Sequence, residues 1–190
     1  GPSNTDRRNV AFVNFVYDLP FLRNSTSRAM KATLGGWQVS GIVTMQSGTP
    51  INVSYGQNSI TSIIPNAANR PNLVGPVKYT KVQTAQGFQW FDPSSFGAPD
   101  SGTWGDLGHN ALRGPGRDNW NLSLFKTFAF TERVRFELRA ESFNTWNHLQ
   151  YKGGDVNQGG ISNNTANGNF GIITGAFDPR TLQLGGKLIF

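Results

Sequence analysis

Two carboxylates, Glu137 and Glu141, stand among two guanidinium groups, Arg135 and Arg139, in the most densely charged stretch of the chain. A carboxylate pair is what glycoside hydrolysis uses, and it needs the two groups about 5 to 9.5 Å apart. Here the intervening residues Phe136, Leu138 and Ala140 alternate with the charged ones, the signature of a strand. At about 3.3 Å of rise per residue, Glu137 and Glu141 are then roughly 13 Å apart on one face. That spacing suits a ladder of alternating charge, Arg135, Glu137, Arg139 and Glu141, better than an acid–base pair.

The other reactive residue types lack the partners that would activate them. His109 and His148 are the only 2 histidines and the chain has 0 cysteines, with no His-x-x-x-His spacing, so no metal site is expected. No Gly-x-Ser-x-Gly elbow or Ser-x-x-Lys motif surrounds any serine. Gly114-Pro115-Gly116 is followed by Arg117 rather than Gly-Lys-Ser/Thr, so it reads as a turn and not a phosphate loop. The chain is therefore expected to hold no catalytic residues and no cofactor, and not to be an enzyme.

The elements that carry these residues are strands. Only 37% of residues are hydrophobic, yet 14 Phe, 5 Trp and 4 Tyr occur beside 23 Gly, so apolar material is concentrated in short runs between turn formers. The net charge of +6 is spread along the chain, and its densest stretch mixes signs. That is a poor track for phosphates, so no nucleic-acid partner is expected. No run of 18 apolar residues marks a membrane helix, a test to which barrel strands are invisible.

Five segments alternate with period two, and they predict strands over 9–18, 36–55, 118–130, 133–147 and 180–190. Val134, Phe136, Leu138 and Ala140 share one face of the fourth. Trp120, Leu122, Leu124, Phe128 and Phe130 share one face of the third, with Lys126 on that face and Phe125 on the other as exceptions. In 36–55 the apolar face is Trp37, Val39, Val43, Met45, Ile51, Val53 and Tyr55, with Ile42 as the misfit; Val10, Phe12 and Val16 make the polar side of 9–18 unusually apolar. Leu182, Leu184, Leu188 and Phe190 fall together in the last segment.

The connections are unequal. Thr131-Glu132-Arg133 is a tight turn, and 19–35 is moderate, with a helical turn expected around Ser27 to Lys31. The stretches 56–117 and 148–179 are long. With the C-terminus in the periplasm, both long loops fall on the outer side, the asymmetry of bacterial outer-membrane barrels. The reading is an all-β fold: an antiparallel transmembrane β-barrel segment of about five strands with two long outer loops. Since about eight strands is the smallest bacterial barrel, the segment is incomplete, the remaining strands are expected upstream of Gly1, and it is not expected to fold alone.

Aromatic side chains support this placement. Trp37, Tyr55, Trp120, Trp146 and Phe190 lie near strand ends, where girdles meet the membrane interface. Phe88, Trp90, Phe91, Phe96 and Trp104 in the first long loop either anchor it or stack on a ligand, with Trp90, Phe91 and Trp104 as candidate ligand contacts.

The last residues, Gln183-Leu184-Gly185-Gly186-Lys187-Leu188-Ile189-Phe190, resemble the signal by which outer-membrane barrels are recognised for assembly: a polar residue, a glycine, then alternate hydrophobics ending in an aromatic. Its elements here are Gln183, Gly185, Leu188 and Phe190. Asp6-Arg7-Arg8, Tyr17-Asp18-Leu19-Pro20-Phe21, Gly36-Trp37-Gln38-Val39-Ser40-Gly41 and Gln46-Ser47-Gly48-Thr49-Pro50 resemble the barrel end of Oar-like TonB-dependent transporters of the acidobacterial type. So do Asn69-Arg70-Pro71-Asn72, Trp90-Phe91-Asp92-Pro93, Asn110-Ala111-Leu112-Arg113-Gly114-Pro115-Gly116, Arg139-Ala140-Glu141-Ser142-Phe143-Asn144 and Asp178-Pro179-Arg180.

The resemblance implies the last strands of a barrel of about 22, in the bacterial outer membrane, with a role in energised uptake of a scarce solute. The implied partners are the rest of the barrel and the plug, TonB, the barrel-assembly machinery and outer-membrane lipid. The charge ladder would then face the lumen. A soluble carbohydrate-binding β-sandwich using the loop aromatics is the alternative reading.

Overall fold

The computed structural model describes residues 1–21, 26–56, 69–153 and 160–190. In chain order the elements are β1 (Val10–Asp18), α1 (Arg28–Leu34), β2 (Trp37–Gln46), β3 (Pro50–Ile51), β4 (Asn72–Leu73), β5 (Val82–Gln83) and β6 (Phe88–Gln89). A 3-10 turn (Pro93–Ser95) leads into β7 (Phe96–Gly97), followed by β8 (Leu112–Arg113), β9 (Arg117–Ala129), β10 (Arg135–Phe143), β11 (Ile172–Ile173) and β12 (Thr181–Ile189). The chain divides into a sheet unit, Val10–Met45, Asp118–Leu149 and Asp178–Phe190, and a loop unit, Gly1–Asn9, Gln46–Arg117 and Gln150–Phe177.

The sheet unit carries five strands in the order β1-β2-β9-β10-β12. β9 and β10 pair antiparallel from Arg135↔Ala129 to Ser142↔Leu122, and β10 pairs antiparallel with β12 from Arg135↔Ile189 to Phe143↔Thr181. The β9–β10 turn is closed at one point: the backbone N–H groups of Phe130 and Thr131 both donate to the Val134 carbonyl, at 3.0 and 3.2 Å. The Val134 N–H returns a bond to the Thr131 hydroxyl at 2.9 Å. This register places Phe128, Phe136 and Leu188 in one row and Leu124, Ala140 and Leu184 in another, with Lys126, Leu138 and Gly186 between them, so apolar positions meet across three strands in the two outer rows.

The sheet has little interior, since Val43 is the one buried hydrophobic among its described residues. β1 and β12 form its two edges and are exposed at nearly every position, including Phe12, Val16, Leu182 and Leu184. Phe190 is 93% exposed. A sheet with an apolar face, open edges and almost no interior is what an unclosed barrel wall looks like, since in the complete structure lipid covers that face and neighbouring strands cover the edges.

Lys126, the exception on the apolar face of β9, has a structural explanation. It is 1% exposed, and its ammonium donates to the Thr33 carbonyl at 2.9 Å and to the Gly35 carbonyl. The rings of Trp37 and Phe128 lie 5.2 and 4.8 Å from it. Those carbonyls belong to the end of α1, where the last turn of a helix leaves acceptors unpaired and favours a cation. The helix itself starts at Ser27, whose hydroxyl accepts from the Met30 N–H, and runs further than the single turn expected. Phe125, the opposite exception, lies on the charged face under the Arg139 guanidinium, 5.9 Å away.

Two expected strands are shorter than their alternation suggested. The 36–55 segment leaves the large sheet after Gln46; Pro50–Ile51 pairs instead with Arg113 and Leu112 of β8, and Ser54 forms a single bridge with Asn164. A Cβ on Gly48 would collide with the backbone of Gly114 and Pro115, so the chain passes here only as glycine. Tyr55 consequently lies in the loop unit and not at the end of β2.

The 133–147 segment ends at Phe143 because Asn144 and Asn147 adopt positive φ, 49° and 54°, a region asparagine tolerates. The buried Asn144 side chain donates to the carbonyls of His148 and Asp178, both at 3.2 Å, and accepts from the His148 N–H. Asn147 accepts from the Arg180 N–H at 3.0 Å. The two asparagines thus terminate β10 and hold the entry to β12.

The long loops, whose aromatics were expected to anchor them or stack on a ligand, hold a buried hydrophobic cluster among their described residues. Ile51, Val53, Phe91, Leu107, Leu112, Ile161, Phe170 and Ile173 are its members. Phe91, Phe96 and Phe170 meet edge to face with centroids 5.2 to 5.4 Å apart, the arrangement aromatic quadrupoles favour. Two-residue strands, β4 with β7 and β5 with β6 and β11, tie the backbone together. The parts of the long loops at 57–68 and 154–159 lie outside the described residues.

Candidate functional site

The four members of the charge ladder stand where the alternation put them, on the face of β10 opposite Phe136 and Leu138. Across the sheet Glu137 faces Thr127 and Lys187, Arg139 faces Phe125 and Gly185, and Glu141 faces Ser123 and Gln183. Glu137, Arg139 and Glu141, with Phe125, Gln183, Gly185, Gly186 and Lys187, line a shallow concavity of about 350 Å³. A second, of about 260 Å³, reaches Gln38 and Ser40 on β2.

Within the ladder Arg139 approaches Glu141 at 3.7 Å, with the arginine side chain 60% exposed. A pair so open to water contributes little stability, about 0–1 kcal/mol. Glu137 and Glu141 do not converge on a common point, since Arg139 lies between them in the strand. The surface offers a polar, mixed-charge wall. His109 and His148 are exposed and belong to different units. Among the described residues no group of three His, Cys, Asp or Glu could hold a metal.

The C-terminal residues divide by parity. Gln183 and Gly185 lie in the charged rows opposite Glu141 and Arg139, while Leu188 lies in the apolar row with Phe136. Phe190 follows β12 in the same alternation and extends the apolar edge.

The loop aromatics separate into three roles. Phe91 is 0% exposed at the centre of the core cluster, so as a candidate ligand contact it is corrected to an anchor: no solute reaches its ring. Trp90 is half buried, its indole N–H donating to the Arg113 carbonyl at 2.8 Å, with Tyr79 edge-on at 5.8 Å and the Lys81 ammonium 5.2 Å from its ring. Trp104 is 50% exposed. Of the three, Trp104 presents the most open surface.

Sequence reasoning missed the bonds that join distant motifs of the loop unit. Arg113 forms an ion pair with the Asp6 carboxylate and donates to the Asp6 carbonyl at 3.1 Å. The buried Asn110 side chain donates to the Pro2 carbonyl at 2.7 Å and to the Asn4 side chain at 2.6 Å. Asn72 accepts from the Asp106 N–H at 3.0 Å while the Asp106 carboxylate accepts from the Leu73 N–H at 2.7 Å, a reciprocal clasp. The signal available beforehand was only that these residues sit in compact polar motifs rich in Asn, Arg and Gly.

Asp92 caps the 3-10 turn, its carboxylate accepting from the Ser94 N–H at 2.9 Å. That backbone bond, with the Ser94 hydroxyl and nearby Lys78 adding to it, holds the carboxyl below its ordinary value of 3.8. A carboxyl more acidic in the folded state stabilises that state above its unfolded pKa, and the contribution disappears as pH falls through the folded value. Acidification below 3.8 is therefore expected to loosen the 92–95 turn, read as quenching or shift of Trp90 fluorescence. An Asp92→Ala variant should show part of that change already at neutral pH and a shallower acid transition. An unaltered acid profile in the variant would exclude the cap.

The family model of an outer membrane beta barrel domain matches residues 1–183. No curated protein and no solved structure matches the chain.

Proposed function

The chain belongs to the outer membrane beta barrel domain family and to the bacterial outer membrane, and from that premise we propose that it forms wall and outer rim of a TonB-dependent receptor, of the Oar-like type, that takes up a scarce solute. The observation that carries this reading is the loop unit. The described parts of the stretches between β2 and β9 and between β10 and β12 fold around a core of their own. A folded loop unit supports a receptor in particular, because a receptor must hold its solute in a formed site before moving it.

In this reading the charged face of β9, β10 and β12 lines the lumen and can meet a plug or a passing solute. The apolar face meets lipid. β1 and β12 pair with strands of the remaining barrel, the sequence Gln183 to Phe190 is read by the barrel-assembly machinery, and TonB acts on the plug. Uptake of an oligosaccharide, siderophore or peptide would be a property of the whole receptor. The soluble sugar-binding sandwich falls away, because an outer-membrane barrel leaves no place for it.

The test is genetic. Deleting the gene that encodes the chain, and separately inactivating TonB, should abolish growth on the same limiting solute. Uptake that survives loss of TonB, or a purified protein that conducts ions as an open pore, would contradict the receptor reading.

A further inference from the structure

The loop unit contains a cavity of about 400 Å³ lined by three cations, Arg7, Arg117 and Lys152, together with Thr5, Tyr151 and Phe177. The volume is on the scale of small-molecule sites. Its lining among the described residues includes no carboxylate. Asp6, next to Arg7 in the chain, is engaged by Arg113 and is absent from that lining.

Two of the cations are held in place. The Arg117 guanidinium lies 4.2 Å from the centre of the Phe177 ring and donates from Nε to the Gln150 side chain at 3.2 Å, so its plane is fixed. Arg7 donates to the Ser47 carbonyl at 3.2 Å. The Lys152 ammonium lies 6.0 Å from the same Phe177 ring. Like charges gathered in a concave site repel one another unless an anion joins them, and planar guanidinium groups suit carboxylate and phosphate oxygens.

We propose that this cavity captures a polyanionic solute, one bearing two or more carboxylate or phosphate groups. The assignment deepens the receptor reading by giving its solute a charge, and it rests on that reading only for the transport step after capture. Binding itself needs no TonB, so the two can fail separately.

The test is titration calorimetry on the whole outer-membrane protein in detergent, with citrate, pyrophosphate and neutral maltotetraose as probes. Citrate or pyrophosphate should bind, more weakly as salt is raised, and maltotetraose should not. Arg117→Gln should weaken binding about tenfold, adding Lys152→Gln about tenfold more, and Arg117→Lys should recover part of the loss. The fast-migrating folded band in unheated gel electrophoresis, present in every variant, separates lost binding from lost folding. Absence of anion binding, equal binding of maltotetraose, or unchanged affinity in the folded double variant would overturn the proposal. Adsorption to lipopolysaccharide vesicles without binding of either free anion would assign the cations to lipid phosphate, and would overturn it too.

Discussion

Phe91→Ala is expected to destabilise the loop unit by about 3–5 kcal/mol, the cost of removing a buried aromatic ring from a packed core. Phe91 contacts Phe96 and Phe170 edge to face, and no other described residue of its size is so fully enclosed. The loss should appear as protease cleavage within 69–117 and 160–177 of the loop unit, at a protease concentration that leaves wild type intact. The folded electrophoretic mobility of the barrel should be retained, because the sheet's pairing from β9 to β12 involves none of the core cluster. If the variant resists protease as wild type does, the core is not what holds the loop unit together. A Phe91→Leu variant, which keeps most of the apolar volume, should fall between the two.

The second large effect separates two adjacent residues of β9. Leu124 shares the apolar row with Ala140 and Leu184, while Ser123 shares the charged row with Glu141 and Gln183. An arginine placed on the lipid face near mid-membrane costs about 2–4 kcal/mol, and on the lumen face next to nothing. Leu124→Arg should therefore lower the stability against denaturant unfolding from lipid vesicles by that amount, and Ser123→Arg should leave it near wild type, helped by the facing Glu141. Equal costs at the two positions would mean that both faces see the same surroundings, which no barrel wall allows.

The sheet was legible in the sequence because its strands are long enough for period two to stand out. Phe136, Leu138 and Ala140 against Glu137, Arg139 and Glu141 is a pattern with few competing explanations, and the observed register preserves it. The exceptions were legible only as exceptions. Lys126 is accommodated by the carbonyls of Thr33 and Gly35, and Phe125 by Arg139, and neither partner is near in sequence.

The loop unit was opaque for a physical reason. Its strands are two residues long, too short to alternate, and its core draws Ile51, Phe91 and Phe170 from widely separated stretches. Alternation also ran on too far in 36–55, since parity cannot register that Gly48 passes against Gly114 and redirects the chain. The bond from Arg113 to Asp6 and the meeting of Arg7, Arg117 and Lys152 were invisible for the same reason: they depend on how the loops close.

The central claim, that this sheet is a membrane wall with its charged face turned to water in the lumen, is open to one direct measurement. The chain has 0 native cysteines, so single cysteines can be placed one at a time from Asn121 to Phe128 and challenged in membranes with a charged, bilayer-impermeant maleimide. The account predicts labelling with period two: positions 121, 123, 125 and 127 react, and 122, 124, 126 and 128 do not. Uniform labelling along β9, or reaction confined to the even positions, would contradict it.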